Sequence, residues 1–496
     1  MPIEYGMLAD DDFKERFIAG SLVIDCPNIL LKRNGDGPGQ EKFEAAGQLA
    51  VNPKFGARAT LIFDALEDTF AEVIEEKLDK RDRTVFGQIT PGDYELAATD
   101  NMGNVWRNAN VFVNRDIVYG KVHVIAECGR IHCQHPGEGP VPWTRIVMVD
   151  ELDFPFRGIP HMNGESAGKV GALSVGYAYR RGADSLVYYE LWGEAENTTA
   201  MPANFEIRLL EAVRFATGVQ AFWVMLETYN SGMVTVELCG AATFGKGLMP
   251  PPLRHEGSEE AFYALMDCYF KYACESAGDK PLAPMSVKLA GLRSVSDAGY
   301  AEVFALHVGA TAEAVLLEEY FKELGAPSNE ALQAQMIMVG AIGKTGLRKE
   351  LIDRGTQMLG GFASRSATDK LAHLEKLAAI EKGELGNWKK LRNTFAHGLE
   401  VHKRKMSDQT LLDKSLAGLC LVYKLAFLRI GYDGPYTDYT TIGWPNRSYD
   451  PKLFRNMIAE LGKRVPPDPG SPAGPRRFAA FVSRLWKLCL LGQRQQ

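Results

Sequence analysis

The chain has 496 residues, 46% of them hydrophobic, enough for about two to four domains with substantial cores. Its 56 basic and 62 acidic side chains leave a net charge of −6, which argues against a protein that coats nucleic acid over its whole surface. No apolar run approaches the ~20 residues of a membrane span, and eight scattered cysteines make no disulfide framework. The first thirteen residues are acidic and lack the basic-then-apolar pattern of a secretory signal, so a reducing cytoplasm is the expected compartment.

Residues 1 to about 250 read mainly as β. Short runs rich in Val and Ile recur between turn-forming residues, at Ser21–Asp25, Ala59–Phe63, Asn110–Asn114, Lys121–Ile125, Thr144–Val149 and Met233–Leu238. An interruption over 150–200 leaves room for two subregions of an antiparallel sandwich or barrel. Within this region Cys128, His132, Cys133 and His135 have metal-ligand chemistry, but their spacing fits no standard zinc motif. In a strand, His132 and Cys133 would point to opposite faces. No metal and no other cofactor is expected.

The character changes at Leu248-Met-Pro-Pro-Pro-Leu253, which reads as a linker. Helical periodicity then predicts helices over about 258–276, 300–324, 329–341, 347–361, 369–382, 387–397 and 409–430. The last is apolar nearly all round and is expected in the centre of a bundle. Gly340-Ala-Ile-Gly343-Lys344-Thr345 superficially suggests a phosphate loop, but Met338 stands where that motif needs glycine. The aromatic, turn-rich stretch 431–444 could stack on bases, although packing over a bundle end is commoner. Val465–Pro475 is a second, proline-rich linker, and Phe478–Leu491 beyond it has the composition of an apolar-basic helix.

The helix predicted over 387–397 overlaps the most informative segment, Leu391-Arg392-Asn393-Thr394-Phe395-Ala396-His397-Gly398. At ~100° per residue, Arg392, Ala396, Asn393 and His397 fall within an arc of roughly 140°. Trp388, Leu391 and Phe395 occupy a separate apolar arc that can face a core. The polar arc joins a permanent cation, an amide and a group that titrates near neutral pH, groups suited to cleaving a phosphodiester without metal. Asn387 is expected to cap the helix and Gly398 to follow its end. That would put Lys389 and Lys390 in the first turn, where the helix dipole disfavours cations and a purely structural helix more often carries acids. Residues 386–496 hold 19 Lys and Arg against 8 Asp and Glu, a balance of +11 that suits an anionic substrate. The plainer alternative is a surface helix with a solvated arginine and a capping histidine.

Arg392, Asn393 and His397 match the arginine, the following polar residue and the histidine in the signature of the HEPN superfamily of helical ribonucleases, which this segment resembles. The order of the chain, β-rich and then helical, is similar to that of ApeA-type antiphage proteins. The resemblance implies an α+β chain: a β-rich N-terminal sensor or regulatory domain over 1–250, an all-α HEPN-type bundle over 257–464, and a linker and amphipathic tail over 465–496. It implies a metal-independent endoribonuclease that cuts host RNA, tRNA among the candidates, in abortive infection. His397 would transfer protons, Arg392 would neutralise the phosphorane, and Asn393 would position the phosphate or the histidine. Lys389, Lys390, Lys403, Arg404 and Lys405 are the expected RNA contacts. The implied partners are RNA, a second copy that supplies the other half of the site, and a phage-derived trigger, with no membrane. The rival is a non-catalytic module that uses the same bundle to bind RNA, a nucleotide or a protein.

Overall fold

The computed structural model describes residues 11–35, 42–54, 56–64, 94–118, 121–149, 164–171, 173–181, 187–195, 201–240, 249–254, 259–296, 301–317, 329–360, 366–396 and 407–456. Both helices and strands are present, with the strands gathered in the N-terminal half and helices dominating the C-terminal half. The chain divides into two compact units. One contains Met1–Asp153, Arg157–Glu206 and Ala221–Gly245; the other contains Phe154–Phe156, Ile207–Gln220 and Lys246–Gln496.

In the first unit, helix α1 (Asp11–Ile18) precedes strands β1 (Leu22–Arg33), β2 (Lys42–Asn52), β3 (Gly56–Asp64), β4 (Tyr94–Thr99), β5 (Val105–Val118) and β6 (Lys121–Cys128). These six strands close on themselves. β1 pairs with β2 and β4, β3 with β2 and β6, and β5 with β6 and β4, all antiparallel. The length of β5 makes the closure possible, because Val105–Val111 pair with β4 while Phe112–Val118 pair with β6. Alternate residues turn inward, as the two-residue period of a strand requires, and Ile29, Leu31, Leu49, Val51, Leu96, Ala98, Val124 and Ala126 are buried together.

The sheet continues outward from β5 through β7 (Arg130–Pro136), whose Cys133 and His132 pair with Trp106 and Arg107. Beyond it come β13 (Met233–Cys239), β12 (Trp223–Asn230), β8 (Trp143–Met148), β11 (Val187–Ala195), β10 (Leu173–Arg181) and β9 (Gly164–Val170). The expected interruption over 150–200 is therefore corrected in part: β9, β10 and β11 come from it and extend the same sheet. Tyr177 and Tyr189 on one face of these strands and Tyr188 on the other are buried, so aromatic residues supply apolar positions that the Val and Ile pattern does not mark. Lys14 of α1 is buried and donates to Glu190 Oε1 at 2.7 Å. Arg180 and Arg145 also lie near that carboxylate, and Arg145 pairs with the fully buried Glu227. A lone cation in the apolar face of α1 is thus matched by acids on the sheet.

The second unit is helical. Residues 207–217 of α2 (Phe205–Thr217) belong to it, as do α3 (Glu259–Ala277), α4 (Pro284–Ser296), α5 (Ala301–Leu316), α6 (Asn329–Gly343), α7 (Lys349–Gly360), α8 (Ala367–Lys376), α9 (Glu384–Ala396) and α10 (Asp408–Ile430). α10 is the axis. Ser407 caps its start, Gly431 in the left-handed conformation ends it, and nearly every residue from Ser415 to Leu428 is buried. It packs on α5, α9 and α3. Gly418 permits the closest approach, since a Cβ there would lie 2.6 Å from Val308 Cγ1 and 3.2 Å from Leu391 Cδ2. At the end of α10, Phe427 is surrounded by Phe215, Tyr432, Tyr436 and Tyr449. The tyrosines after α10 pack over the bundle end, which was the commoner expectation for that stretch.

Two further expectations need correction. The proline run is no free linker: Met249 and Leu253 are buried, and the hydroxyls of Tyr423 and Tyr439 donate to the carbonyls of Pro250 and Pro251. Proline carbonyls keep their full acceptor strength, and here the bundle's tyrosines use it. Helices α2 and α4 were also missed by periodicity. In α2 the apolar pattern is interrupted by Arg208 and Glu211, which are buried as an ion pair, while Arg208 also donates to the carbonyls of Lys280 and Pro281.

Candidate functional site

The helix carrying the sequence motif, α9, begins at Glu384, one turn earlier than expected. Asn387 is not its cap. The Asn387 amide already donates to the Gly383 carbonyl, and the Glu384 carboxylate accepts from the backbone N–H of Glu381 at 2.8 Å. Lys389 and Lys390 consequently sit in the second turn, and the first turn carries the acid Glu384. Cations therefore do not burden this helix start: the first turn of α9 carries the acid that the dipole favours.

Its two faces separate as the wheel predicts for the residues whose side chains are described. Trp388 and Leu391 are buried, whereas Lys389, Lys390, Arg392 and Asn393 are exposed. The Trp388 indole donates to the Gly309 carbonyl of α5 at 3.2 Å. One turn on, Arg392 meets Glu313, one turn beyond Gly309, with Nε 2.9 Å from Oε2 and Nη2 3.0 Å from Oε1. This is a two-point, fork-to-carboxylate pairing. The guanidinium also lies 5.6 Å from the centre of the Trp388 ring. Glu313 therefore engages two of the five guanidinium N–H groups. Arg392 is half-exposed and held in a defined orientation.

His397, Lys403, Arg404, Lys405 and Gly398 lie outside the described residues, as do the side chains of Phe395 and Ala396 and the tail over 465–496. Of the site residues expected from the sequence, Arg392 and Asn393 are therefore described, with Lys389 and Lys390 beside them on α9. Glu313 was not anticipated. It sits in the helix predicted over 300–324, and nothing in its local pattern announces a partner 79 residues away.

A second polar constellation sits at the other end of α9. A cavity of about 480 Å³ is lined by Glu384, Asn387, Lys414, Lys424, Asp438 and Thr440, among others. Lys424 is almost fully buried, with Nζ 2.7 Å from Glu381 Oε1 and 2.8 Å from Glu384 Oε1. Burial alone would pull its ammonium down, but the two carboxylates outweigh that and raise it above the usual lysine range. Burial pushes Glu384 up. Burial also works against ionisation of Glu381, yet the hydrogen bond and charge of Lys424 hold it low. The Tyr436 hydroxyl donates to Glu381 as well. The one signal of this network in the sequence was a lysine inside an otherwise apolar helix, which demands a buried partner.

On β7, Cys133 is fully buried and His132 half-buried, on opposite faces of the strand. Burial pushes the Cys128 thiol up to about 12 and the Cys133 thiol up to about 11. Among the described residues, no three His, Cys, Asp or Glu side chains come together as a metal site. Gly340–Gly343 form the end of α6, so they are not the strand-to-helix turn of a phosphate loop. No helix among the described residues is long and apolar enough to cross a membrane.

Comparison with protein-family models, with curated proteins and with solved structures yields no match to this chain. The HEPN resemblance accordingly rests on the residues of the motif themselves.

Proposed function

We propose that the helical unit is a metal-independent endoribonuclease of the HEPN type, acting in the cytoplasm as part of an antiphage response. The observation that carries this reading is the division of α9. Trp388 and Leu391 root it in the bundle while Arg392 and Asn393 stand exposed and adjacent, followed by His397 in the sequence. In the reaction, the ribose 2′-oxygen attacks phosphorus and its proton passes to one histidine. The P–O5′ bond breaks, and a second histidine supplies the proton to the leaving 5′-oxygen. Arg392 neutralises the extra charge on the phosphorane, and Asn393 orients the phosphate. One motif offers one histidine, so two copies of the chain share each site. Lys389, Lys390, Lys403, Arg404 and Lys405 guide RNA to it. The β-rich unit regulates this activity in response to a phage component; that step rests on analogy with the antiphage proteins the chain resembles.

The hold of Glu313 on Arg392 favours a second reading, in which the arginine chiefly ties α9 to α5 and the bundle binds RNA or another partner without cutting it. Product ends separate the two. A defined RNA incubated with the full chain should yield 2′,3′-cyclic phosphate and 5′-hydroxyl ends, and a single 2′-deoxy nucleotide at the cut position should abolish cleavage there. Products with 3′-hydroxyl ends, or cleavage that survives the 2′-deoxy substitution, would reject the nuclease reading.

A further inference from the structure

Helices α6 and α7 differ from the rest of the bundle. α6 carries a single charged residue, Glu330, and includes Met336, Ile337, Met338, Val339 and Ile342. A helix so apolar on all sides is normally buried. Yet none of residues 330–359 is buried; Met336, Ile337 and Met358 are 75%, 72% and 77% exposed. Among the described elements, the substantial packing partner of α6 is α7. The pair forms a hairpin, closed where Ile342 Cδ1 comes within 3.1 Å of a Cβ position at Gly355 and where the Gln335 amide donates to the Leu359 carbonyl at 2.9 Å. Gly340, Gly343 and Gly346 meet nothing within 4 Å of a Cβ position.

We infer that this hairpin is a self-association surface that docks against the same hairpin of a second copy, giving a four-helix arrangement about a two-fold axis. Three observations favour a second copy over other occupants. The first is charge. A nucleic acid needs a basic face, whereas α6 is nearly uncharged and the charged residues of α7 are Lys349, Glu350, Asp353 and Arg354. The second is self-complementarity. Glu350 and Arg354 lie one turn apart on α7, so antiparallel pairing about a two-fold axis sets each against its opposite in the second copy. The third is area. A helix of α6's 15 residues is about 22 Å long and two packed helices about 20 Å wide. With the corrugation of side chains, the paired hairpins bury roughly 1,200 Å² in total, at the threshold of a specific interface. This surface stands independently of the nuclease reading, though it would serve a site shared between two copies.

The test is sedimentation equilibrium of the full chain over a concentration series, comparing the wild type with Met336→Glu and Met358→Glu. Both side chains are exposed in the single chain, so the substitutions leave its fold intact, which circular dichroism verifies. The wild type is expected to sediment at twice the chain's mass and each variant to dissociate at least tenfold more readily. Hydrogen exchange in 330–343 should slow as concentration rises. A wild type that remains monomeric, or a dimer unmoved by either substitution, overturns the proposal. So does protection of the hairpin in the monomer, which would mean that the chain's own 478–491 segment covers it.

Discussion

Replacing Lys424 with Met should destabilise the helical unit in a pH-dependent way. The substitution keeps most of the apolar stem of the side chain but removes the ammonium that lies 2.8 Å from Glu384 and 2.7 Å from Glu381. Glu381 is half-exposed and can turn to water, so its loss counts for little. Glu384 has 10% of its side chain exposed and sits in the first turn of α9, with burial already pushing its carboxyl up. Left unpaired, it relieves the penalty by taking up a proton. From a usual value of 4.5, protonation at pH 7 costs about 3.4 kcal/mol, at ~1.4 kcal/mol per pH unit. The expected loss is thus about 3 kcal/mol at pH 7, close to that for breaking other buried pairs. The sign follows from linkage: a carboxyl raised in the folded state penalises folding above its unfolded value. The deficit should therefore shrink by ~1.4 kcal/mol per unit as pH falls from 7 toward 5. Native-state hydrogen exchange of α10 peptides at several pH values reads this directly, and the double variant Lys424→Met with Glu384→Gln should recover most of the loss. A deficit that is flat with pH, or a double variant no better than the single, would mean that Glu384 does not depend on Lys424.

Three further outcomes follow from the same geometry. Glu313→Gln removes a negative charge held against Arg392, an exposed pair worth up to about 1 kcal/mol; RNA affinity should rise about fivefold at low salt, with the gain fading at high salt, as filter binding would show. Gly418→Ala places a methyl group 2.6 Å from Val308 Cγ1, and should cost about 1–3 kcal/mol in urea unfolding; an unchanged midpoint would mean the three helices are not in close contact. Burial raises the Cys133 thiol to about 11 and the nearby Asp100 charge adds to this, so native Cys133 should resist iodoacetamide at pH 7.5 and react only on unfolding. Because the folded state favours the neutral thiol, the associated stability is complete below the usual value of 9.0 and declines as pH rises toward 11; rapid labelling at pH 7.5, read by mass spectrometry, would contradict it.

The helices were more legible than the sheet. α3, α6, α7 and α10 follow the predicted spans closely because each is bounded by glycine, serine or proline. β2 and β9 escaped notice for a physical reason: Lys-Phe-Glu-Ala-Ala-Gly-Gln and Gly-Glu-Ser-Ala-Gly-Lys-Val are weak strand formers that pair because neighbouring strands offer them a ladder. The division of α9 into buried Trp388 and Leu391 and exposed Arg392 and Asn393 was readable from a wheel alone. Its true start was not, because the residue that satisfies it, Glu384, is fixed by Lys424 from α10, 40 residues away. Glu313 was invisible for the same reason: long-range charge pairing leaves no local periodicity.

Arg392 and His397 are proposed to cut RNA without metal. Purified full chain and its Arg392→Ala and His397→Ala variants, incubated with RNA in EDTA, give the decisive comparison. Cleavage by the wild type, lost in both variants while each retains the fold, is the predicted result. Cleavage that persists in both variants, or appears only when a divalent ion is added, would contradict it.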